Sequence, residues 1–257
     1  MSESARPRPG PLMWLPFYAW KYLVIIPFLA LSTLVIGLII IPLCFLGFPD
    51  FASRVFATAW ARMNAMVTLL TISVEGRENI RPGESYVIVA NHQSLLDIYA
   101  VYGHSGLELK WVMKQELRKV PVLGYACELM GHIIIDRSNT DAALATINSA
   151  REKIQGGMCV IFFPEGTRSR DGKIMPFKKG AFRFAIELGI PILPVSIHGT
   201  RDVLPSDGLA WYPGHAHMEI HEPIPTAGLD AGDVPALTRQ AEEVISTALT
   251  ERPNQAG

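Results

Sequence analysis

From residue 22 to residue 49 the chain carries no charged side chain, an apolar run of 28 positions. An α-helix needs roughly 20 such residues to cross a bilayer, so this run is long enough to span one. It also exceeds the apolar core of about 15 residues found in a secretory signal, and no small-x-small cleavage site comes after it. Pro27, Gly37 and Pro42 predict bends, which membrane helices tolerate. Gly47-Phe48-Pro49-Asp50 reads as a turn, with Asp50 able to cap the next helix. Over residues 51–72, Phe56, Trp60, Met63, Val67 and Leu70 fall on one helical face, and Arg54, Thr58 and Arg62 fall opposite. That pattern predicts an amphipathic helix suited to a membrane surface or to packing on its predecessor.

Beyond residue 73 the periodicity changes. Short apolar runs at 86–90, 109–113, 132–135, 158–163 and 190–197 predict strands. Helical patterns fall between them at 95–102, at 141–154 (closed by Gly156 and Gly157) and at 180–188 (closed by Gly189). Residues 120–124 read as irregular, and 235–250 as a last helix before a fraying tail. Alternation of this kind predicts an α/β fold with a largely parallel sheet. The chain thus divides into a polar segment at 1–21, a membrane-associated pair of helices at 22–72, an α/β domain at 73–232 and a C-terminal helix and tail at 233–257.

Composition changes this picture little. Hydrophobic residues make up 49% of the chain, high for a soluble protein, and the excess sits in the N-terminal run. The 23 Lys and Arg balance 24 acids, so no global charge argues for nucleic acid. Cys44, Cys127 and Cys159 stand singly, which gives neither a zinc site nor a disulfide framework and suits a reducing compartment. Arg6, Arg8 and Lys21 favour a cytoplasmic amino end. A single crossing would then put the α/β domain outside, so either the second segment returns the chain or the pair dips into one leaflet.

Candidate chemistry centres on Asn91-His92-Gln93-Ser94-Leu95-Leu96-Asp97, directly after the 86–90 strand. On one continuous helix His92 and Asp97 would point roughly 140° apart. They can meet if His92 lies in the strand-to-helix turn and Asp97 in the first helical turn. Ser94 and Asp97 have the spacing of a capping box at that boundary. His92 then sits at the carboxyl end of a strand, where open α/β sheets place ligands. Asp97 is placed to fix one imidazole nitrogen, leaving the other to accept a proton. A solvated His beside a capping Asp would give the same sequence.

Three further stretches change the balance: Gly131-His132-Ile133-Ile134-Ile135-Asp136-Arg137, Phe163-Pro164-Glu165-Gly166-Thr167-Arg168-Ser169 and Ile190-Pro191-Ile192-Leu193-Pro194-Val195. With the His-x4-Asp stretch they resemble, in order and across about residues 74–225, the glycerolipid acyltransferases of the 1-acylglycerol-3-phosphate O-acyltransferase family. The resemblance implies a glycerol-3-phosphate acyltransferase-like sheet flanked by helices, with an N-terminal two-helix membrane-embedded motif. It implies transfer of a fatty acyl chain from acyl-CoA or acyl carrier protein to lysophosphatidic acid, giving phosphatidic acid, with no cofactor. The work would take place at the cytoplasmic face of the inner membrane. Glycerol-3-phosphate or a lyso-ornithine lipid are the neighbouring acceptors. His92 would be the general base and Asp97 its orienter, with the acceptor hydroxyl attacking the thioester directly.

Arg168 offers a planar fork of donors suited to phosphate. Thr167 can add a hydroxyl bond, Gly166 allows close backbone approach, and Glu165 can orient the Arg or the loop. A surface turn with a solvated ion pair is the plainer alternative. Arg137 closes the 132–135 strand similarly and either adds charge to the pocket or pairs with Asp136 or Asp141. Lys110, Lys114, Arg118 and Lys119 read mostly as a solvated face. The resemblance gives Lys114 a place near the acceptor phosphate. Asn91 and Gln93 support the motif, and Ser94 reads as a cap rather than a nucleophile, because no G-x-S-x-G elbow exists for a membrane-bound serine hydrolase. Lys173, Lys178, Lys179 and Arg183 form a second basic cluster suited to anionic lipid or an acidic carrier. His215, His217, Glu219 and His221 alternate along one strand face, which reads as a polar face rather than a metal site.

Overall fold

The computed structural model describes residues 15–135, 154, 156–206 and 211–251. The polar 1–14 segment, the expected 141–154 helix, Asp136, Arg137 and the tail beyond 251 lie outside the described residues, apart from Ile154. The apolar run folds as α1 (Leu15–Trp20), a π turn (Lys21–Ile25) and α2 (Ile26–Phe45), one continuous rod long and apolar enough to cross a membrane. Pro27 is the second residue of α2, directly after the π turn, and Pro42 lies near its end. Lys21 is buried, with its ammonium 4.9 Å from the Tyr22 ring centroid. Gly47, at φ +88°, makes the reversal.

The returning segment comprises α3 (Pro49–Ala52), a π turn (Ser53–Ala57) and α4 (Thr58–Val67). It differs from the predicted helix at both ends. Asp50 does not cap it; its carboxylate takes the Lys110 ammonium at 2.8 Å instead. The helix also stops at Val67, because Leu70-Thr71-Ile72-Ser73-Val74-Glu75 alternates with period two and forms β1 (Leu70–Glu75). The boundary expected at 72 therefore falls inside a strand, and the second helix is too short to be a membrane span. Its most buried side chains are small: Ala61, Asn64 and Ala65. They let α4 press on the helix after the His92 turn, where a Cβ on Gly103 would lie 3.4 Å from that of Ala61. Hydrogen bonds join α4 to α2: Asn64 to Ser32 at 3.1 Å and Trp60 to Thr33 at 3.1 Å.

The remaining elements are β2 (Val87–Ala90), α5 (Asp97–His104), β3 (Glu108–Lys114), α6 (Leu123–Leu129), β4 (Ile133–Ile135), β5 (Met158–Phe162), α7 (Gly180–Leu188), β6 (Ile192–His198), α8 (Thr200–Val203), β7 (Gly214–Ile220) and α9 (Val234–Glu251). The stretch expected to be irregular contributes the first turn of α6 after Val122, which adopts φ +63°. The sheet has the order β1-β7-β6-β2-β5-β3-β4 and is mixed. β6, β2, β5, β3 and β4 are parallel, β7 runs antiparallel to β6, and β1 pairs with β7 in parallel. One apolar layer packs this sheet against α2, α4, α5 and α6, and a second against α7 and α9. β2 lies in the middle with every residue buried, as a strand covered on both faces requires.

Candidate active site

The strand-to-helix turn leaves β2 through Asn91. This side chain is fully buried and bridges to β6 in both directions, donating to Ile197 O at 2.9 Å and accepting from Ile197 N at 2.8 Å. Asparagine has one donor and one acceptor at the right reach, so it extends the ladder where the two strands diverge. His92 comes next. Its Nδ1 lies 2.8 Å from Asp97 Oδ2, and its ring stacks on Phe163 with centroids 4.0 Å apart. A carboxylate only accepts, so Nδ1 carries a proton, and in the neutral tautomer this leaves Nε2 as the basic nitrogen. The imidazole is 14% exposed and Asp97 is fully buried.

Asp97 Oδ2 also accepts from Gln93 N (2.8 Å) and Ser94 N (2.9 Å), and Oδ1 accepts from the Thr200 hydroxyl. The acid therefore reaches back as in a capping box, but Ser94 does not complete the exchange. Its buried hydroxyl donates to Leu204 O at 2.7 Å and accepts from Leu96 N at 3.2 Å. Helix α5 consequently starts at Asp97, without a side-chain cap. The same bond commits the Ser94 proton to a carbonyl rather than to His92, which removes the arrangement a serine nucleophile needs.

Glu165 joins the Phe163–Ser169 stretch to the His-x4-Asp stretch. One carboxylate oxygen accepts from His92 N at 2.7 Å and the other from Met175 N at 3.0 Å. Its burial raises the carboxyl pKa, while these two N–H groups oppose that shift. Ser169 N donates to His92 O at 2.8 Å and Gln93 Nε2 to Gly172 O at 3.0 Å, so the 164–175 loop is stitched to the His92 turn. Within it Gly166 takes φ +78°, and a Cβ there would come within 2.5 Å of Lys178 Nζ. Thr167 is exposed and Arg168 half-buried; among the described residues the Arg168 guanidinium has no hydrogen-bond or ionic partner. Glu165 thus holds the loop and His92 rather than Arg168.

Beneath His92 opens a cavity of about 460 Å³. Thr33, Ile36, Gly37 and Ile40 of α2 and Trp60 of α4 form one wall; Trp111, Met130, His132 and Phe163 lie across from them, and Lys114 is at its lining too. Its surface is overwhelmingly apolar, and the imidazole of His92 is one of its few polar groups.

A family model described as Acyltransferase matches residues 71–198. A 1-acyl-sn-glycerol-3-phosphate acyltransferase of Chlamydomonas reinhardtii is 32% identical over 230 residues, covering 87% of this chain and 68% of the algal protein. The chain belongs to the 1-acyl-sn-glycerol-3-phosphate acyltransferase family. The alpha form of that enzyme from Homo sapiens is 32% identical over 183 residues, 71% of this chain and 65% of the human one. The crystal structure of the 1-acyl-sn-glycerophosphate (LPA) acyltransferase PlsC from Thermotoga maritima superposes with a TM-score of 0.66 at 30% identity, covering 88% of this chain and 98% of that one.

Within this acyltransferase, several side chains differ from their expected surroundings. Lys110 is not solvated; it is 5% exposed and donates to Asp50 Oδ1 at 2.8 Å and Met130 O at 2.7 Å. It is covered because β3 lies inside the sheet, between β5 and β4, and its ammonium finds these two oxygen acceptors. Arg118 does behave as a surface cation, paired with Glu128. Along β7, His215 bonds Thr71 (3.0 Å) and Ser73 (2.9 Å) of β1, and His217 bonds Ser73 (2.8 Å). Among the described residues no group of three or more His, Cys, Asp or Glu is placed to hold a metal. Thr200 and the stacking role of Phe163 went unread in the sequence. The available signal for Thr200 was position: like His92, it is a polar residue directly after a buried strand, behind Gly199.

His132 illustrates how burial sets a charge state in this acyltransferase. Its Nδ1 accepts from Trp111 N at 3.3 Å, and desolvation, helped by the Lys110 charge, lowers its pKa to about 3. The unfolded chain would hold the extra proton between about pH 6.5 and 3, so this residue makes the fold lose stability as pH falls across that window. His132→Gln keeps an acceptor for Trp111 but cannot titrate. Urea midpoints at pH 7 and pH 4.5 should therefore lie closer together in the variant than in the parent. An unchanged gap would show that other groups carry the acid sensitivity.

Proposed function

We propose that this enzyme moves a fatty acyl group from the thioester of acyl-CoA or acyl carrier protein to the free hydroxyl of lysophosphatidic acid, forming phosphatidic acid. The observation that carries this reading is the His92–Asp97 pair, with Nδ1 bonded to the carboxylate and His92 lining an apolar cavity suited to an acyl chain. The acceptor hydroxyl gives its proton to His92 Nε2 as its oxygen attacks the thioester carbon. The tetrahedral intermediate expels the thiolate, which recovers the proton from the imidazolium. Asp97 holds the imidazole and stabilises its charge in between. No acyl-enzyme forms.

Arg168, with Thr167 and the Gly166 backbone, binds the acceptor phosphate, and Lys114 and Arg137 add charge. The exposed apolar side chains of the N-terminal helices and their connecting turn, among them Leu31, Leu38, Phe45, Leu46, Phe51 and Met66, embed the helical pair in one leaflet. That leaflet is the cytoplasmic one, where the donors reside. Lysophospholipid and acyl chain then reach the site without leaving the membrane.

The test is a donor-by-acceptor panel on purified protein in detergent. Lysophosphatidic acid should far exceed glycerol-3-phosphate and lyso-ornithine lipid as acceptor. A preference for either of the latter would overturn the assignment.

The phosphate assignment has its own check. Arg168→Lys keeps the charge but loses the paired hydrogen bonds. The acceptor KM should rise by the equivalent of about 1.5–3 kcal/mol, while the donor KM changes little. Monoacylglycerol, which lacks the phosphate, should be equally poor with parent and variant. If the change impairs both acceptors alike, Arg168 holds the loop and does not read the head group.

A further inference from the structure

β6, which carries most of the Ile190–Val195 stretch, leads into Gly199-Thr200, a turn whose geometry is tightly constrained. Gly199 has φ +77°, and a Cβ there would lie 2.2 Å from His215 O, so no other residue fits. This turn brings the Thr200 side chain, fully buried, against Asp97 Oδ1 at 2.5 Å. Because a carboxylate cannot donate, the threonine hydroxyl must.

The bonds to Asp97 are unevenly divided. Oδ2 takes His92 Nδ1–H and two backbone N–H groups, whereas among the described residues Oδ1 takes the hydroxyl of Thr200. The three donors on Oδ2 all belong to the 92–94 turn and move with it. Thr200 opens α8, just after β6, the strand next to β2, and ties the carboxylate to a different element. Leu204, at the end of the same short segment, takes the Ser94 hydroxyl. Segment 199–204 thus grips the His92–Asp97 turn at two points.

We infer that Thr200 is a positioning residue for the acyl transfer, which acts through Asp97 by fixing the rotation of its carboxylate and hence the direction of His92 Nε2. The inference rests on the reading of His92 as the base. Residues that hydrogen-bond and orient a metal ligand typically matter by roughly 10–100-fold, and the same order is expected for a hydroxyl that orients a base through its carboxylate. The loss should fall on kcat, because Thr200 touches neither substrate.

Thr200→Val removes the hydroxyl at nearly constant volume, and Thr200→Ser keeps the hydroxyl and loses the methyl. We expect Val to lower kcat about tenfold or more, with both KM values near those of the parent and a cooperative thermal transition at a lower midpoint, because Asp97 Oδ1 loses a buried donor, and Ser to restore kcat and the midpoint. Should the Val variant fail to fold, Thr200→Ala takes its place against Ser. The inference is overturned if kcat is unchanged in a folded Val or Ala variant, if Ser loses as much as they do, or if neither Val nor Ala folds, which would make Thr200 a folding residue only. His92→Ala, run alongside, separates the two claims. Full activity there removes the base itself, whereas an inactive His92→Ala with an unaffected Thr200→Val removes only the role of Thr200.

Discussion

Replacing His92 with Ala should abolish acyl transfer and leave the fold intact. The imidazole is at the surface of the cavity, and its ring makes one hydrogen bond and one stacking contact, so little of the core depends on it. Loss of a general base costs about 10²–10⁴-fold. Asp97→Asn should cost nearly as much. An amide presents either a weaker acceptor to three N–H groups or its own N–H against them, so His92 loses the partner that sets its tautomer. Ser94→Ala should act differently, because its hydroxyl serves Leu204 O and Leu96 N. It should cost about 1 kcal/mol of stability with the chemistry retained. Steady-state rates and melting curves of the three variants would check this. An acyl-enzyme trapped on Ser94, or full activity in His92→Ala, would end the direct-attack mechanism.

Removing the N-terminal helices should cost the fold as well as the membrane affinity. The sequence pattern alone suggests a detachable anchor, and a domain beginning near residue 73 that survives without it. The structure argues otherwise, because α4 covers α5 and α2 forms a wall of the cavity. Trp60 packs edge-on against Tyr99 with centroids 5.4 Å apart, and Ser53 meets the Tyr102 hydroxyl. Uncovering a large buried apolar side chain costs about 1.5–3 kcal/mol. Three or four of them would consume most of a typical stability of about 5–15 kcal/mol. A cut at 72 would also sever β1 from its pairing with β7. A chain beginning at Leu70 keeps β1 and loses only the helices, and for want of their cover it should show no cooperative unfolding transition and no activity. A sharp transition near that of the parent, with only flotation on liposomes lost, would restore the simple anchor.

The elements whose chemistry is local were legible from the residues. The buried strands announced themselves as short β-branched runs between turns, because a strand covered on both faces has no polar side to show. The His-x4-Asp spacing predicted a pair across a strand-to-helix turn, because five residues are too few to let them meet otherwise. The uncharged 28-residue run needed only its length.

The features that escaped were decided between elements distant in sequence. The end of α4 at Val67 depends on β7, 140-odd residues later, offering a parallel partner to a segment that also carries helical periodicity. Lys110 reads as a surface charge until Asp50 and the carbonyl of Met130 arrive beside it, since a lysine is buried only when partners offset its desolvation. Glu165 meets the amide of His92 across 73 positions, and Thr200 meets Asp97 across 103. A chain can spell out which side chains are capable of acid–base work. Which hydroxyl and which backbone amides hold them in place is settled only by the order in which the sheet sets its strands side by side.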